Sequence, residues 1–259
     1  MKQPFESAKE AASATGDVIA KTAGFFTSTF VGLGRGIFQP FTNTTATVKP
    51  VEPGAAPGIE HYLKAEDPNV AVSISIIDYG TGYTEKSDFD HIEDALSHPK
   101  PEKPHVRWIN VNGLKPSTVD TVCKQFGFHT LSAEDVLNTH QRPKLEVFED
   151  HYFVVARQIQ LVSERLKNEQ ISFFLTKDTL ISFQEIEGDV FDPVRRRLEN
   201  KTGRFRLYQT DYLFYALIDS IVDHLFPLLE GYGAALEELE FGILQDPTPE
   251  TQQQLFALK

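Results

Sequence analysis

The sequence predicts an α/β fold, an αβα sandwich with a central mixed sheet, followed by long helices. Three observations carry that prediction. Short alternating segments such as 71–78 and 105–111 read as strands and are separated by helical patterns. The middle of the chain, 145–184, holds only strand signals, and everything after Asp211 reads as helix. Strands mixed with helices at first and helices alone at the end favour one layered α/β body with a helical extension.

The 259 residues include 41% hydrophobic side chains, enough for a substantial core. Residues 1–60 are expected to stand apart as an N-terminal arm and linker. Residues 1–21 read as a weak helix of mixed polarity. Residues 22–34 (TAGFFTSTFVGLG) lack charge but are too short for a membrane span, which needs roughly 20 apolar residues. Gln39 to Gly58 is rich in Thr, Pro and Gly without periodicity, which marks a linker. No other stretch is expected to cross a membrane, so this chain is expected to be soluble as it stands.

The α/β body is expected over 61–205. Ala71–Asp78 is a strand and Gly80-Thr81-Gly82 a turn. Ser87–Leu96 is a helix carrying Asp90 and Asp94. His105–Val111 is a strand closed by Asn112-Gly113, with Trp108 as a core anchor. Ser117 caps a helix running to Phe126. A further helix begins near Ser132, placing Glu134 and Asp135 in its first turn. Ser132 with Asp135 three residues on resembles a capping box, and acids there oppose the helix dipole. The run Asn138–Lys144 then breaks that helix. Strands follow at 145–147, 152–161, 169–176 and 179–184, with Lys177-Asp178 as a tight hairpin turn and Val190–Asn200 as a helix.

From Asp211 to Leu244 the helix is dense in Leu, and no Lys or Arg occurs between Arg206 and Lys259. At roughly 100° per residue, Asp219, Asp223, Glu230 and Glu237 fall on one stripe. Like charges on one stripe repel, so it suits basic residues elsewhere, such as Arg195-Arg196-Arg197, or divalent cations; for those arginines, pairing with acids is expected over binding phosphate, given the overall charge. Pro227 predicts a break near Phe226. Thr248-Pro249 starts another helix that reaches Lys259 without a stop signal.

Composition narrows the function. A formal net charge of −12 repels phosphate backbones, so no nucleic-acid partner is expected. The single cysteine, Cys123, excludes an intrachain disulfide framework and fits a reducing compartment. His129, His140 and His151 recur at equal spacing, but Pro143 prevents them from sharing a helix. No phosphate loop, nucleophile elbow or H-E-x-x-H motif occurs, so an enzyme is not expected and no catalytic residue is assigned.

Three separated runs carry a resemblance. Glu134–Lys144 (EDVLNTHQRPK), Gly188–Arg195 (GDVFDPVR) and Asp211–Asp223 together resemble the cytoplasmic domain of CorA-family magnesium and cobalt transporters, over about residues 61–259. The resemblance implies a Mg²⁺-sensing cytoplasmic domain, with 206–259 as an acidic helical extension leading into a stalk helix. It also implies two membrane helices and a Gly-Met-Asn motif, neither of which lies in this chain. It implies a homopentamer in the cell (inner) membrane, with Mg²⁺, and Co²⁺ or other divalent cations, as transported and regulatory ions. Metal between subunits would favour the closed state. The regulatory carboxylates map onto Asp135 with Glu134 beside it, Asp219, and Asp223. Two alternatives stand beside this reading: a zinc-transporting relative of the same family, since imidazole suits zinc, and a free-standing cation-binding protein.

Overall fold

The computed structural model describes residues 42–43, 57–102, 105–162, 165–200, 203–245 and 248. The expected weak N-terminal helix, the uncharged stretch, most of the linker and the helix after Thr248 lie outside the described residues. The chain divides into two compact units. Among the described residues, one contains Asn43, 57–102, 105–158, 168–200 and 203–221, and the other contains Thr42, 159–162, 165–167, 222–245 and Thr248.

The first unit is built on a mixed sheet. After the two-residue strand β1 (Thr42–Asn43) come β2 (Ser73–Gly80), β3 (Tyr83–Phe89), β4 (His105–Asn112), β5 (Lys144–Val147), β6 (Tyr152–Val162), β7 (Arg165–Leu175) and β8 (Thr179–Gln184). Seven of them follow the order β3-β2-β4-β8-β7-β6-β5. β2 pairs antiparallel with β3 across the Thr81-Gly82 turn, where Gly82 takes φ 80. A left-handed residue is what a two-residue hairpin turn demands, and glycine supplies it without a Cβ clash. β4 and β8 run parallel, with Trp108 opposite Leu180, and β7 and β8 form the antiparallel hairpin at Lys177-Asp178. The αβα sandwich with a mixed sheet is thus the observed architecture.

Both faces of the sheet are covered, which is why β2 carries Ile76-Ile77 and β7 carries Phe173-Phe174 side by side. On one face lie α1 (Glu60–Lys64), α2 (Ile92–Ser97), α3 (Pro116–Phe126) and α4 (Thr130–Leu137). Their Val119, Val122, Ala133 and Val136 pack with Ile74, Ile76, Ile109, Phe174 and Phe183. On the other lie α5 (Asp192–Glu199), a 3₁₀ turn at Arg204–Arg206 and α6 (Thr210–Asp223). Their Val194, Leu198, Leu213 and Leu217 pack with Ile77, Trp108, Phe173 and Leu180. Each fully buried large apolar side chain contributes about 1.5–3 kcal/mol relative to exposure. Trp108 is wholly buried, as expected of an anchor, and its indole N–H donates to Ser182 Oγ at 2.9 Å.

Several local expectations are corrected. Ser87 lies in β3, opposite Ile76, and the helix starts only at Ile92. Pairing with β2 overrides the local acidic pattern that suggested a helix. Ser117 lies inside α3, not before it, and the helix starts at Pro116. Its free N-terminus is served by Glu66, whose carboxylate accepts from Ser117 N at 2.6 Å and Ser117 Oγ at 3.0 Å. That cap comes from 51 positions away in sequence.

The break expected near Phe226 occurs at His224, between α6 and α7 (Leu225–Gln245). Pro227 has no N–H for the carbonyl of Asp223, four residues earlier, which sets the break there. Contrary to the expectation that no second candidate span exists, Thr210–Leu244 is long and apolar enough to cross a membrane by length and composition. Its best window has a mean hydropathy of 1.4, with 33% of that window buried inside the fold. In α6 the apolarity has a local cause, because Leu213, Ala216, Leu217 and Ile221 enter the sheet core.

Candidate functional site

The site that the sequence singles out sits where α4 ends and the chain turns into β5. α4 starts at Thr130, two residues before the expected Ser132. His129 is its N-cap, accepting from Leu131 N through Nδ1 at 3.1 Å, while Ser132 is buried inside the helix. The capping-box reading is therefore wrong, and Glu134 and Asp135 fall in the last turn. Acids there oppose the helix dipole unfavourably, so their presence is not explained by capping.

Asp135 is held by the basic loop that follows. Lys144 Nζ donates to its Oδ2 at 2.6 Å, and Gln141 Nε2 donates to its Oδ1 at 2.7 Å. Lys144 is shared with Glu146 Oε1 at 2.8 Å. The helix end itself is fixed from the sheet, where Gln170 Nε2 donates to the Asp135 carbonyl at 2.9 Å. The QRPK run is thus a clamp: Gln141 and Lys144, on either side of Pro143, both reach back to one carboxylate. Glu134 points elsewhere, its Oε2 accepting from Gly58 N at 2.7 Å.

The charge balance of this clamp is uneven. Burial pushes the Asp135 carboxyl above its usual value. Lys144 pulls it back by hydrogen bond and charge, while Glu146 and Glu134 push it up again, and the net direction is up. Burial also works against the Lys144 ammonium, but the carboxylates of Asp135 and Glu146 outweigh it and raise its pKa. The ammonium has two anions to itself, whereas Asp135 has one cation and two negative neighbours. The same contact therefore favours charge on Lys144 more than on Asp135.

A raised folded pKa means that Asp135 contributes stability below the ordinary carboxyl pKa and loses it as pH rises through the raised value. At neutral pH its charge is a burden on the fold. Asp135→Asn is accordingly expected to change stability by less than about 1 kcal/mol, in either direction. Lys144→Met is expected to cost about 1–2 kcal/mol, because it leaves two half-buried acids facing each other. Urea denaturation of both variants checks this, and a loss above about 2 kcal/mol for Asp135→Asn would make Asp135 a structural residue.

Of the remaining mapped carboxylates, Asp219 does not join Asp135. Asp219 is half-buried on α6, and α4 and α6 pack on opposite faces of the sheet. Asp223 is exposed at the end of α6, as are Glu230 and Glu237 on α7. Among the described residues, no three His, Cys, Asp or Glu side chains gather closely enough to hold an ion. Any metal using both Asp135 and Asp219 must take them from different copies of the chain. The histidines are also dispersed. His129 caps α4, His140 is exposed, and His151 is buried with Nδ1 2.6 Å from Asp150 Oδ1.

The second signature run, Gly188–Arg195, is an organised polar corner. Arg195 forks onto Asp189, Nη1 to Oδ1 at 2.7 Å and Nη2 to Oδ2 at 2.6 Å, and also reaches Asp192 at 3.0 Å. Its guanidinium lies 5.2 Å over the Trp108 ring. Arg195 thus pairs with acids of its own turn and helix, not with the acidic stripe. Sequence reasoning missed Lys144, Gln141 and Gln170 as partners of the Asp135 region. The first two were visible only as a basic-Pro loop, and Gln170 gave no signal at all.

Three comparisons bear on this geometry. Residues 103–259 match the family described as CorA-like Mg2+ transporter protein. The cobalt/magnesium transport protein CorA of Thermotoga maritima is 43% identical over 155 residues, which is 59% of this chain and 44% of that protein. The chain therefore spans less than half the length of that relative. Among solved structures, the CorA magnesium transporter of Methanocaldococcus jannaschii superposes with a TM-score of 0.55 at 16% identity, over 71% of this chain and 55% of that one. The ZntB cytoplasmic domain of Vibrio parahaemolyticus gives a TM-score of 0.51 at 16% identity, over 73% of each chain. At those identities the two structures attest the fold.

Proposed function

The chain belongs to the CorA-like Mg2+ transporter family, and from that premise we propose that it is the cytoplasmic, Mg²⁺-sensing part of a divalent-cation transporter. The observation that carries this reading is the family match over more than half the chain, joined by a relative named for cobalt and magnesium transport. The site's chemistry supports it. Asp135 is an acid kept at a helix C-terminus, half-buried and electrostatically burdened, where the fold gains little from its charge. Strained charges of this kind concentrate at functional sites.

The whole protein works as a homopentamer in the inner membrane, moving Mg²⁺ and Co²⁺. Mg²⁺ sheds water reluctantly and is usually held by one or two carboxylates with several waters retained. Asp135, with Glu134 beside it, supplies one side of such a hydrated site, and Asp219 and Asp223 of a neighbouring copy supply carboxylates to the other. When the ion leaves, acids from two copies repel, and the closed arrangement loses its support. Moving a two-state equilibrium from 1:99 to 99:1 needs about 5.5 kcal/mol, or about 1.1 kcal/mol from each of five interfaces. Weak hydrated sites suffice for that.

Thermal unfolding in metal-free buffer, with Mg²⁺ or Co²⁺ added, tests the sensing role. Millimolar Mg²⁺ is expected to raise the midpoint saturably, by about 1.4 kcal/mol of stabilisation at ten times Kd. The Asp135→Asn variant is expected to lose most of that shift. An unresponsive wild type, or an equal response in the variant, counts against the reading. A shift with micromolar Zn²⁺ and none with Mg²⁺ would favour the zinc-transporting alternative.

A further inference from the structure

The chain is strongly acidic, yet five of its ten arginines fall between Arg195 and Arg206. Arg195 is neutralised by Asp189 and Asp192. Among the described residues, no carboxylate pairs with Arg196, Arg197, Arg204 or Arg206. The expectation that Arg195, Arg196 and Arg197 pair with acids thus holds, among the described residues, for Arg195 alone.

Basic residues near a helix C-terminus ordinarily serve its free carbonyls. In α5 that task belongs to Arg206. Its Nη2 donates to the carbonyls of Leu198 at 2.5 Å and Asn200 at 3.4 Å, and to Thr84 Oγ1 at 2.6 Å. Its Nε and Nη1 are buried without a protein acceptor. Arg197 and Arg204 do not share this role. They line a cavity of about 400 Å³ together with Asn200, Gly203, Phe205 and Tyr212. That volume lies within the range of small-molecule sites.

The lining is pre-arranged. Arg197 lies 4.9 Å over the Phe205 ring and donates from Nη2 to Tyr212 Oη at 3.1 Å. Having accepted from Arg197, the Tyr212 hydroxyl keeps its own proton to donate. Phe205 packs edge-on against Tyr212 with centroids 4.9 Å apart, which fixes both rings. Two guanidinium forks, a phenol and the Asn200 amide thus surround one opening, and no acid lines it among the described residues.

We propose that this cavity binds a phosphate-bearing ligand, with the phosphate between Arg197 and Arg204 and the Tyr212 hydroxyl donating to it. Guanidinium forks match phosphate oxygens bidentately, and two of them balance a doubly charged group better than a single carboxylate needs. The same chemistry is presented by a soluble phosphorylated molecule and by an anionic lipid headgroup.

The test uses the whole chain in Mg²⁺-free buffer with chelator, so that the carboxylate site plays no part. Titration calorimetry with pyrophosphate and with ATP probes the soluble source. Co-sedimentation with phosphatidylglycerol vesicles, against phosphatidylcholine vesicles, probes the headgroup. Saturable binding is expected in at least one arm. Arg197→Gln and Arg204→Gln are each expected to weaken it about tenfold or more. Arg196→Gln, the same charge change outside the cavity, is expected to leave it within about twofold. Arg204→Lys keeps the charge but loses the fork, and is expected to fall between. Absence of binding in every arm overturns the proposal, as does equal weakening by Arg196→Gln and Arg204→Gln. Both lining arginines are exposed, so the variants are expected to fold, with unfolding midpoints near wild type in ligand-free buffer.

Discussion

Replacing Arg107 by Met is expected to cost about 3–5 kcal/mol. Arg107 enters from β4 and forks onto Asp78 of the adjacent β2, Nε to Oδ1 at 2.8 Å and Nη2 to Oδ2 at 2.7 Å. The two side chains are 4% and 3% exposed. Arg107 also donates to the carbonyls of His98 at 2.9 Å and Pro99 at 2.8 Å, tying the segment after α2 to the sheet. Methionine fills much of the space but leaves a buried carboxylate and two carbonyls without donors. The loss arises mainly from that stranded charge. Arg107→Met combined with Asp78→Leu should therefore recover most of it. Denaturant titrations of the single and double variants check both statements. By contrast, the Lys86–Asp88 pair is exposed at 55% and 66% and should contribute at most a few tenths of a kcal/mol.

Asp189→Ala is expected to cost about 3 kcal/mol at neutral pH. Asp189 accepts from Arg195 twice, from Phe191 N at 2.9 Å and from Gln184 Nε2 at 3.0 Å. Gln184 in turn donates to Asn110 Oδ1 at 2.7 Å, which also accepts from Ser182 Oγ at 2.6 Å. The carboxylate therefore joins the start of α5 to a polar chain beneath Trp108. Burial alone would raise its pKa, but the Arg195 hydrogen bonds and charge, with Gln184 and Phe191 N, outweigh burial and lower it. A lowered folded pKa means stability that is present above the ordinary carboxyl pKa and lost as pH falls through the lowered value. The gap between wild type and Asp189→Ala should thus be widest at neutral pH. It should narrow below about pH 4, and stability measured across that range checks the sign. A gap constant with pH would place the cost in packing instead.

The layered α/β body was legible because both faces of its sheet are buried. Segments such as Ala71–Asp78 and 169–184 hold strand composition however they pair. What failed was local and had a remote cause. Ser87 looked helical until β2 claimed it as an edge-strand partner. Ser117 and Ser132 both matched cap signatures, yet Glu66 serves one helix start and His129 the other. A side chain 51 positions away leaves no mark in a local pattern. The Pro227 break was legible because its cause is covalent, a missing N–H.

The candidate site was legible in part. Glu134 and Asp135 stood out as an acidic pair, but the wrong helix start placed them at the wrong end of α4. Corrected, they change meaning, since an acid at a helix C-terminus is not a cap. The sheet separates Asp135 from Asp219, because α4 and α6 pack on its opposite faces. A metal shared between copies is then the arrangement that uses both acids.

Sedimentation velocity of the chain, with and without millimolar Mg²⁺, tests that arrangement most directly. Mg²⁺ is expected to shift wild type toward faster-sedimenting assemblies, and Asp135→Asn and Asp219→Asn are each expected to abolish the shift. Wild-type boundaries unchanged by Mg²⁺, or an equal shift in the two variants, would contradict a cation held between copies by these carboxylates.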